Sequence, residues 1–131
     1  MNLTITKAKD NYLIARDEEK IVGLLSCGKS KNDLFQKSGE IYSINIIEKY
    51  QGQGIGKKLF MKGIKELINK GYNNMIINVP QECKSINFFE KYSGIKIITT
   101  YDKKSVNNII FFDNLNEIYN ENKEKNLINK K

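Results

Sequence analysis

The chain has 131 residues, enough for one domain with a real core, and a formal net charge of +7 from 22 Lys and Arg against 15 Asp and Glu. It has no histidine, and its two cysteines, Cys27 and Cys83, share no ligand spacing, which argues against zinc chemistry and a Ser-His-Asp triad. It has no run of about 18 apolar residues that would read as a membrane span.

Leu3 and Ile5, then residues 12–15, read as extended segments, and residues 21–27 as the next strand. The polar tetrad Asp17-Glu18-Glu19-Lys20 between apolar runs is a hairpin signal. Residues 1–10 lack the long apolar stretch of a secretory signal, so a cytoplasmic setting is expected, with reduced thiols and no bond between Cys27 and Cys83. Residues 28–39 are polar and read as a loop. Residues 40–47 are rich in β-branched and aromatic side chains and predict a strand. After the hexad Gln51-Gly52-Gln53-Gly54-Ile55-Gly56, apolar residues at Ile55, Leu59, Phe60, Ile64, Leu67 and Ile68 predict a helix over about 54–70, with Gly71 as its cap. The lysines of that helix read as a solvated face. Residues 75–79 predict a short strand ended by Pro80, and residues 85–92 a short helix that Gly94 can end. Residues 95–101 and 108–112 predict a closing hairpin around 102–105. Residues 114–131 predict a marginal helix around Leu115, Ile118 and Tyr119 that frays into a disordered tail, which places the domain proper at residues 1–113.

The glycine hexad carries the chemistry. Three glycines at alternate positions leave the backbone unobstructed where a strand becomes a helix. The first N–H groups of a helix lack internal partners, and with the helix dipole they form an anion site. The hexad therefore predicts a loop that cradles a phosphate or pyrophosphate, against the plain alternative of a glycine-rich turn with no ligand. Two familiar loops fail on spacing. A P-loop needs G-x-x-x-x-G-K-[ST], but Gly52 stands only four residues before Gly56, and Lys57 is followed by Lys58. The dinucleotide fingerprint would need glycine at 57, which is lysine. What remains is Q-x-x-G-x-G.

In this setting the hexad resembles the signature of the GNAT family of N-acetyltransferases, [QR]-x-x-G-x-[GA], which lies between a strand and a helix and holds the pyrophosphate of acetyl-coenzyme A (acetyl-CoA). Residues 12–25 look like the family's second and third strands, and Asn87-Phe88-Phe89-Glu90-Lys91-Tyr92-Ser93-Gly94-Ile95 like its late helix end. The resemblance runs over about residues 12–112, with two departures: Phe89 stands where the family often has tyrosine, and Ser93 intervenes before Gly94. It implies an α/β fold of the α+β type, a mixed, mostly antiparallel sheet whose central parallel pair, residues 40–47 and 75–79, splays apart. The helix at 54–70 becomes the right-handed crossover that a parallel pair requires. Family members usually carry two helices between their first two strands, building one wall of the acceptor site. Only Lys7-Ala8-Lys9-Asp10-Asn11 separates Ile5 from Tyr12, so these N-terminal helices are reduced or missing. An open acceptor side implies a large acceptor such as a protein chain, a homodimer, or a reduced catalytic role.

The resemblance further implies acetyl-CoA as acetyl donor and a primary amine, on a small molecule or on a protein or peptide, as acceptor by direct attack on the thioester. Gln51, Gly52, Gln53, Gly54, Ile55, Gly56 and Lys57 would hold the pyrophosphate, mostly through backbone N–H groups. The backbone of Ile44, Ile46 and Ile47 would pair with the pantetheine arm, and an N–H near Ile46 would face the oxyanion. Asn87 would hydrogen-bond the same arm. Glu40 lies eleven residues before Gln51, the offset of the base glutamate in the histone-acetylating branch, and is the candidate general base. The alternative is an ordinary exposed glutamate at a strand start. Phe89 cannot donate a proton. Tyr92, three residues on, is the candidate general acid, against the alternative of an aromatic packed at a helix end. A thiolate leaves readily near neutral pH, so the acid is dispensable. Cys83 lacks an activating base and reads as structural. The competing reading is a non-catalytic module that senses acetyl-CoA and regulates a protein partner. The lysines are spread along the chain without an RNA-binding signature, so the charge alone does not argue for nucleic acid, and no metal or membrane partner is expected.

Overall fold

The apolar runs on either side of the glycine hexad become two neighbouring parallel strands, and the helix between them is their crossover. The computed structural model describes residues 1–9, 11–82, 85–102 and 105–129. Along these run β1 (Leu3–Ala8), β2 (Tyr12–Asp17), β3 (Lys20–Lys29), β4 (Gly39–Ile46), α1 (Ile55–Asn69), β5 (Met75–Pro80), α2 (Ile86–Lys91), β6 (Ile95–Asp102), β7 (Ser105–Phe112) and α3 (Leu115–Asn129). The strands form one sheet in the order β1-β2-β3-β4-β5-β7-β6, antiparallel except for β4 and β5. This is the mixed, mostly antiparallel sheet with a central parallel pair that the sequence predicts. The hairpin tip at Lys103 and Lys104 and the cysteine at Cys83 lie outside the described residues.

The parallel pair is short. It holds only at Gly39 with Met75, Glu40 with Ile76 and Ile41 with Ile77, although β4 runs on to Ile46 and β5 to Pro80. The cause lies on the other side of β4. Ser43 pairs with Ser26, but the next pair is Ile41 with Cys27, which leaves Tyr42 as an extra residue. Such a bulge bends and twists its strand, and this one sits immediately after the last contact with β5. Beyond it β4 and β5 diverge into an open splay.

One sheet face is packed under the helices. α1 buries Ile55, Leu59, Phe60, Ile64 and Leu67 on it, and a Cβ at Gly63 would lie 2.9 Å from Leu25 Cδ1, so glycine lets the helix approach closely. The ring of Phe60 joins both helices to the sheet, with centroids 5.4 Å from Phe88, 5.4 Å from Tyr92 and 5.7 Å from Phe112. Gly71, at φ 98, ends α1 as expected, and the N–H of Tyr72 returns to the carbonyl of Leu67 at 3.0 Å. α3 packs beside α1 through buried Leu115 and Ile118, with the Lys65 ammonium 5.1 Å from the centroid of Tyr119.

Among the described residues no helix covers the opposite face, none stands between β1 and β2, and Lys9 just after β1 takes φ 55. The expected loop at 28–39 is shorter than predicted, because Gly28 and Lys29 continue β3 by pairing with Glu40 and Gly39. Its remainder contains a 3-10 turn, Asp33–Phe35, capped by the Asn32 side chain, and Phe35 packs on Phe111 of β7 with centroids 6.2 Å apart.

Candidate active site

After Ile46 the chain makes a 3-10 turn, Glu48–Tyr50, and enters the hexad. Gly52 and Gly54 take φ of 78° and 84°, a region that costs an L-residue steric strain. A Cβ at either would meet nothing within 4 Å, so the space around the loop is open. Gly54 is the N-cap of α1, no side chain caps the helix, and the first intrahelical bond runs from the Lys58 N–H to the Gly54 carbonyl at 3.2 Å. The N–H groups of Ile55, Gly56 and Lys57 therefore point off the helix start with no intrahelical partner. The Ile55 side chain is buried and anchors this turn to the core. Gln51 and Gln53 brace the loop from within: Gln51 Nε2 donates to the Ile46 carbonyl at 3.0 Å, and Gln53 Nε2 to the Lys49 carbonyl at 3.4 Å.

The splay exposes backbone. The Ile47 N–H donates to the Val22 carbonyl at 2.9 Å, on the β3 side. Backbone groups alternate in direction along a strand, so Ile44 and Ile46 turn theirs toward the splay. Ile46 and Ile47 thus differ: the first presents its backbone to the opening, the second does not.

Glu40 lies two residues before the bulge at Tyr42, where the splay begins, on the face without helices, since its neighbour Ile41 faces Gly63 of α1. It is 9% exposed, and its Oε1 accepts the Lys31 N–H at 2.9 Å. Tyr92, 6% exposed, sits at the end of α2 on the helix-covered face, its ring 5.1 Å from that of Phe88, and burial pushes its phenol up. The two candidate catalytic residues therefore lie on opposite faces of the sheet. Asn87 is exposed on the first turn of α2.

Residues 3–95 match the model of the acetyltransferase (GNAT) family. This chain belongs to the GNAT family. It is 33% identical over 93 residues to an uncharacterised N-acetyltransferase, YuaI, of Bacillus subtilis, a match covering 70% of this chain and 54% of that protein. The chain thus spans about half the length of the curated relatives it matches. Two solved structures share the GNAT fold with it. One is the NatC complex bound to Gag peptide and CoA, with a TM-score of 0.68 at 18% identity, covering 78% of this chain and 70% of that one. The other is yncA from Salmonella typhimurium, solved with its cofactor acetyl-CoA, with a TM-score of 0.64 at 19% identity, covering 78% of this chain and 63% of that one. The first of these structures thus holds CoA and the second acetyl-CoA. No described helix is long and apolar enough to cross a membrane.

The departures of this GNAT domain from the family pattern have physical reasons. Phe89, at the usual tyrosine, is 2% exposed and packs against Phe60 and Phe112. Ser93 takes φ 70, the left-handed conformation that closes a helix, while Gly94 behind it is pressed against β7. Sequence reasoning missed Tyr42. As the bulge residue its side chain shares the face of Glu40, its hydroxyl donates to the Lys29 carbonyl, and the Lys31 ammonium lies 4.1 Å from its ring centroid. Burial, then the Glu40 carboxylate, push the Tyr42 phenol above its ordinary value. No spacing marks a bulge, so nothing in the sequence singled this residue out.

Proposed function

We propose that this chain is an acetyl-CoA-dependent N-acetyltransferase that passes the acetyl group to a primary amine by direct attack on the thioester. The observation that carries the reading is the open, uncapped start of α1 behind Gly52 and Gly54, next to the mouth of the β4–β5 splay. The residues fit this donor. The N–H groups of Ile55, Gly56 and Lys57 converge with the helix dipole on an anion, and Lys57 adds a positive charge. The edge of β4 at Ile44, and the N–H of Ile46, whose carbonyl already accepts from Gln51, offer strand-like hydrogen bonding to an amide-bearing arm. Bound acetyl-CoA supplies an acyl group already activated as a thioester.

Glu40, held by the Lys31 N–H, takes the proton of the attacking amine. A backbone N–H on the open edge of β4, at Ile44, donates to the acyl oxygen as charge develops there. Tyr92, the sequence candidate for donor to the departing sulfur, is packed on the other face of the sheet from Glu40, so the sulfur leaves as a thiolate, which needs little help. The acceptor reaches Glu40 from the face that no described helix covers, which favours an amine on a peptide or protein over a small enclosed one. A cytoplasmic location, and a second copy of the chain at this face, accompany the reading.

The test is calorimetric titration with acetyl-CoA, repeated with Gly54→Glu, followed by coenzyme A release across polyamines, amino acids and peptides. Micromolar binding lost in the variant, with turnover on at least one amine, is the expected result. Absence of binding to the unaltered protein would sink it. The second reading, a non-catalytic acetyl-CoA sensor, draws on Phe89, which removes the family's proton donor. It predicts tight binding without turnover and acetyl-CoA-dependent capture of a protein partner.

A further inference from the structure

The hexad is held at its base by a contact that the reaction does not use. Tyr50, the residue before Gln51, reaches across to β2, and its hydroxyl donates to Asp17 Oδ2 at 2.9 Å. The other oxygen of Asp17 accepts the Asn2 N–H at 3.1 Å, and the Lys20 ammonium stands 5.4 Å from the Tyr50 centroid. Asp17 closes the β2–β3 hairpin by pairing with Lys20, so it belongs to the rigid sheet. We propose that Tyr50 and Asp17 form a latch that fixes the glycine hexad in the conformation that receives the pyrophosphate, making both positioning residues. The inference rests on the proposed donor.

Its logic is conformational. Glycines at 52 and 54 hold positive φ with nothing within 4 Å of either Cβ position, and no side chain caps α1. Within the hexad packing therefore holds only Ile55, at the helix start, and the glycine-rich backbone before it samples many conformations. Its entry is restrained by the backbone bonds of the 3-10 turn and by three side-chain tethers: Gln51 to Ile46, the longer Gln53 to Lys49 contact, and the Tyr50 to Asp17 bond, which alone of the three ties it to a distant strand. Apparent affinity scales with the fraction of molecules already in the binding conformation. Releasing the latch lowers that fraction without removing any group that touches the donor. The Tyr50 ring packs against the core, so phenylalanine keeps the apolar contacts and loses only the tether.

The experiment measures acetyl-CoA affinity for the unaltered chain, Tyr50→Phe, Asp17→Ala and the double variant, together with 15N relaxation along the backbone of the hexad. Each single variant is expected to bind about threefold to tenfold more weakly. The double variant is expected to be no weaker than Asp17→Ala alone, because the tyrosine hydroxyl then has no partner left to lose. Order parameters of residues 52–57 should fall, while those in the body of α1 stay as they are, a pattern that general destabilisation does not give. Unchanged affinity in both single variants overturns the latch, as do unchanged order parameters. If the unaltered chain fails to bind acetyl-CoA, the donor assignment falls, and the relaxation comparison alone decides the latch.

Discussion

The end of α2 makes opposite demands on two adjacent residues, and exchanging them separates backbone strain from packing. Ser93 sits at φ 70, while Gly94 lies where a Cβ would come 2.7 Å from Ile110 Cγ2, Phe112 Cζ and the Phe89 carbonyl oxygen. In Ser93→Gly the left-handed strain of about 1–2 kcal/mol is relieved. The extra freedom of glycine in the unfolded chain returns roughly half of that. The net gain is about 0.5–1 kcal/mol, or about 2–5 °C in Tm for a chain of this size. In Gly94→Ala the methyl group meets two fully buried side chains and a main-chain oxygen. Rotation of a side chain cannot relieve the last of these. Overpacking of this kind costs about 2–3 kcal/mol and lowers Tm by about 6–15 °C. Thermal and urea unfolding followed by circular dichroism gives both numbers. The reasoning is refuted if Gly94→Ala melts with the unaltered protein, or if Ser93→Gly melts below it.

Glu40→Gln should lower turnover about 100-fold or more while leaving acetyl-CoA affinity within about twofold, read by steady-state kinetics beside calorimetry; equal turnover would remove Glu40 as the base. The Tyr50 hydroxyl, then the Asn2 N–H, hold the Asp17 carboxyl below its ordinary 3.8. A depressed carboxylate stabilises the fold above its unfolded value and ceases to do so as pH falls through its folded value, so Asp17→Asn should flatten the stability profile below about pH 4. Urea midpoints between pH 2 and 6 measure this, and parallel profiles for the two proteins would contradict it. Burial pushes the Cys27 thiol up, so under native conditions peptide mapping after iodoacetamide should find Cys27 unmodified, with labelling appearing only in denaturant.

The loop was legible because its signal is local: alternate glycines, a β-branched run before them and an apolar stripe of period 3.6 behind them leave few structures open. Parallel pairing of β4 with β5 followed from the helix between them. What the sequence hid depends on register. The bulge at Tyr42 arises from how Ser43 and Ile41 meet Ser26 and Cys27, partners some fifteen residues away. The direction of the Ile47 N–H follows from the same pairing, so Ile46 and Ile47 looked equivalent until β3 was in place. Tyr92 shows a different gap. Helical spacing put it near Phe89, but only the ring of Phe60 reveals that this side is packed interior and not the face of Glu40.

The opening in the sheet is, in the end, a matter of counting. Without Tyr42, Ile41 would stand directly beside Ser43, their partners Cys27 and Ser26 are already consecutive, and the ladder to β3 would close without interruption. A straightened β4 could then stay beside β5 beyond Ile77, zipping shut the splay in which the proposed reaction takes place. Tyr42 therefore tolerates exchange for another side chain far better than it tolerates deletion: the cleft is written in the length of the strand rather than in its letters, and a gap of one residue at this point of a related sequence would signal a sheet with no room for a ligand.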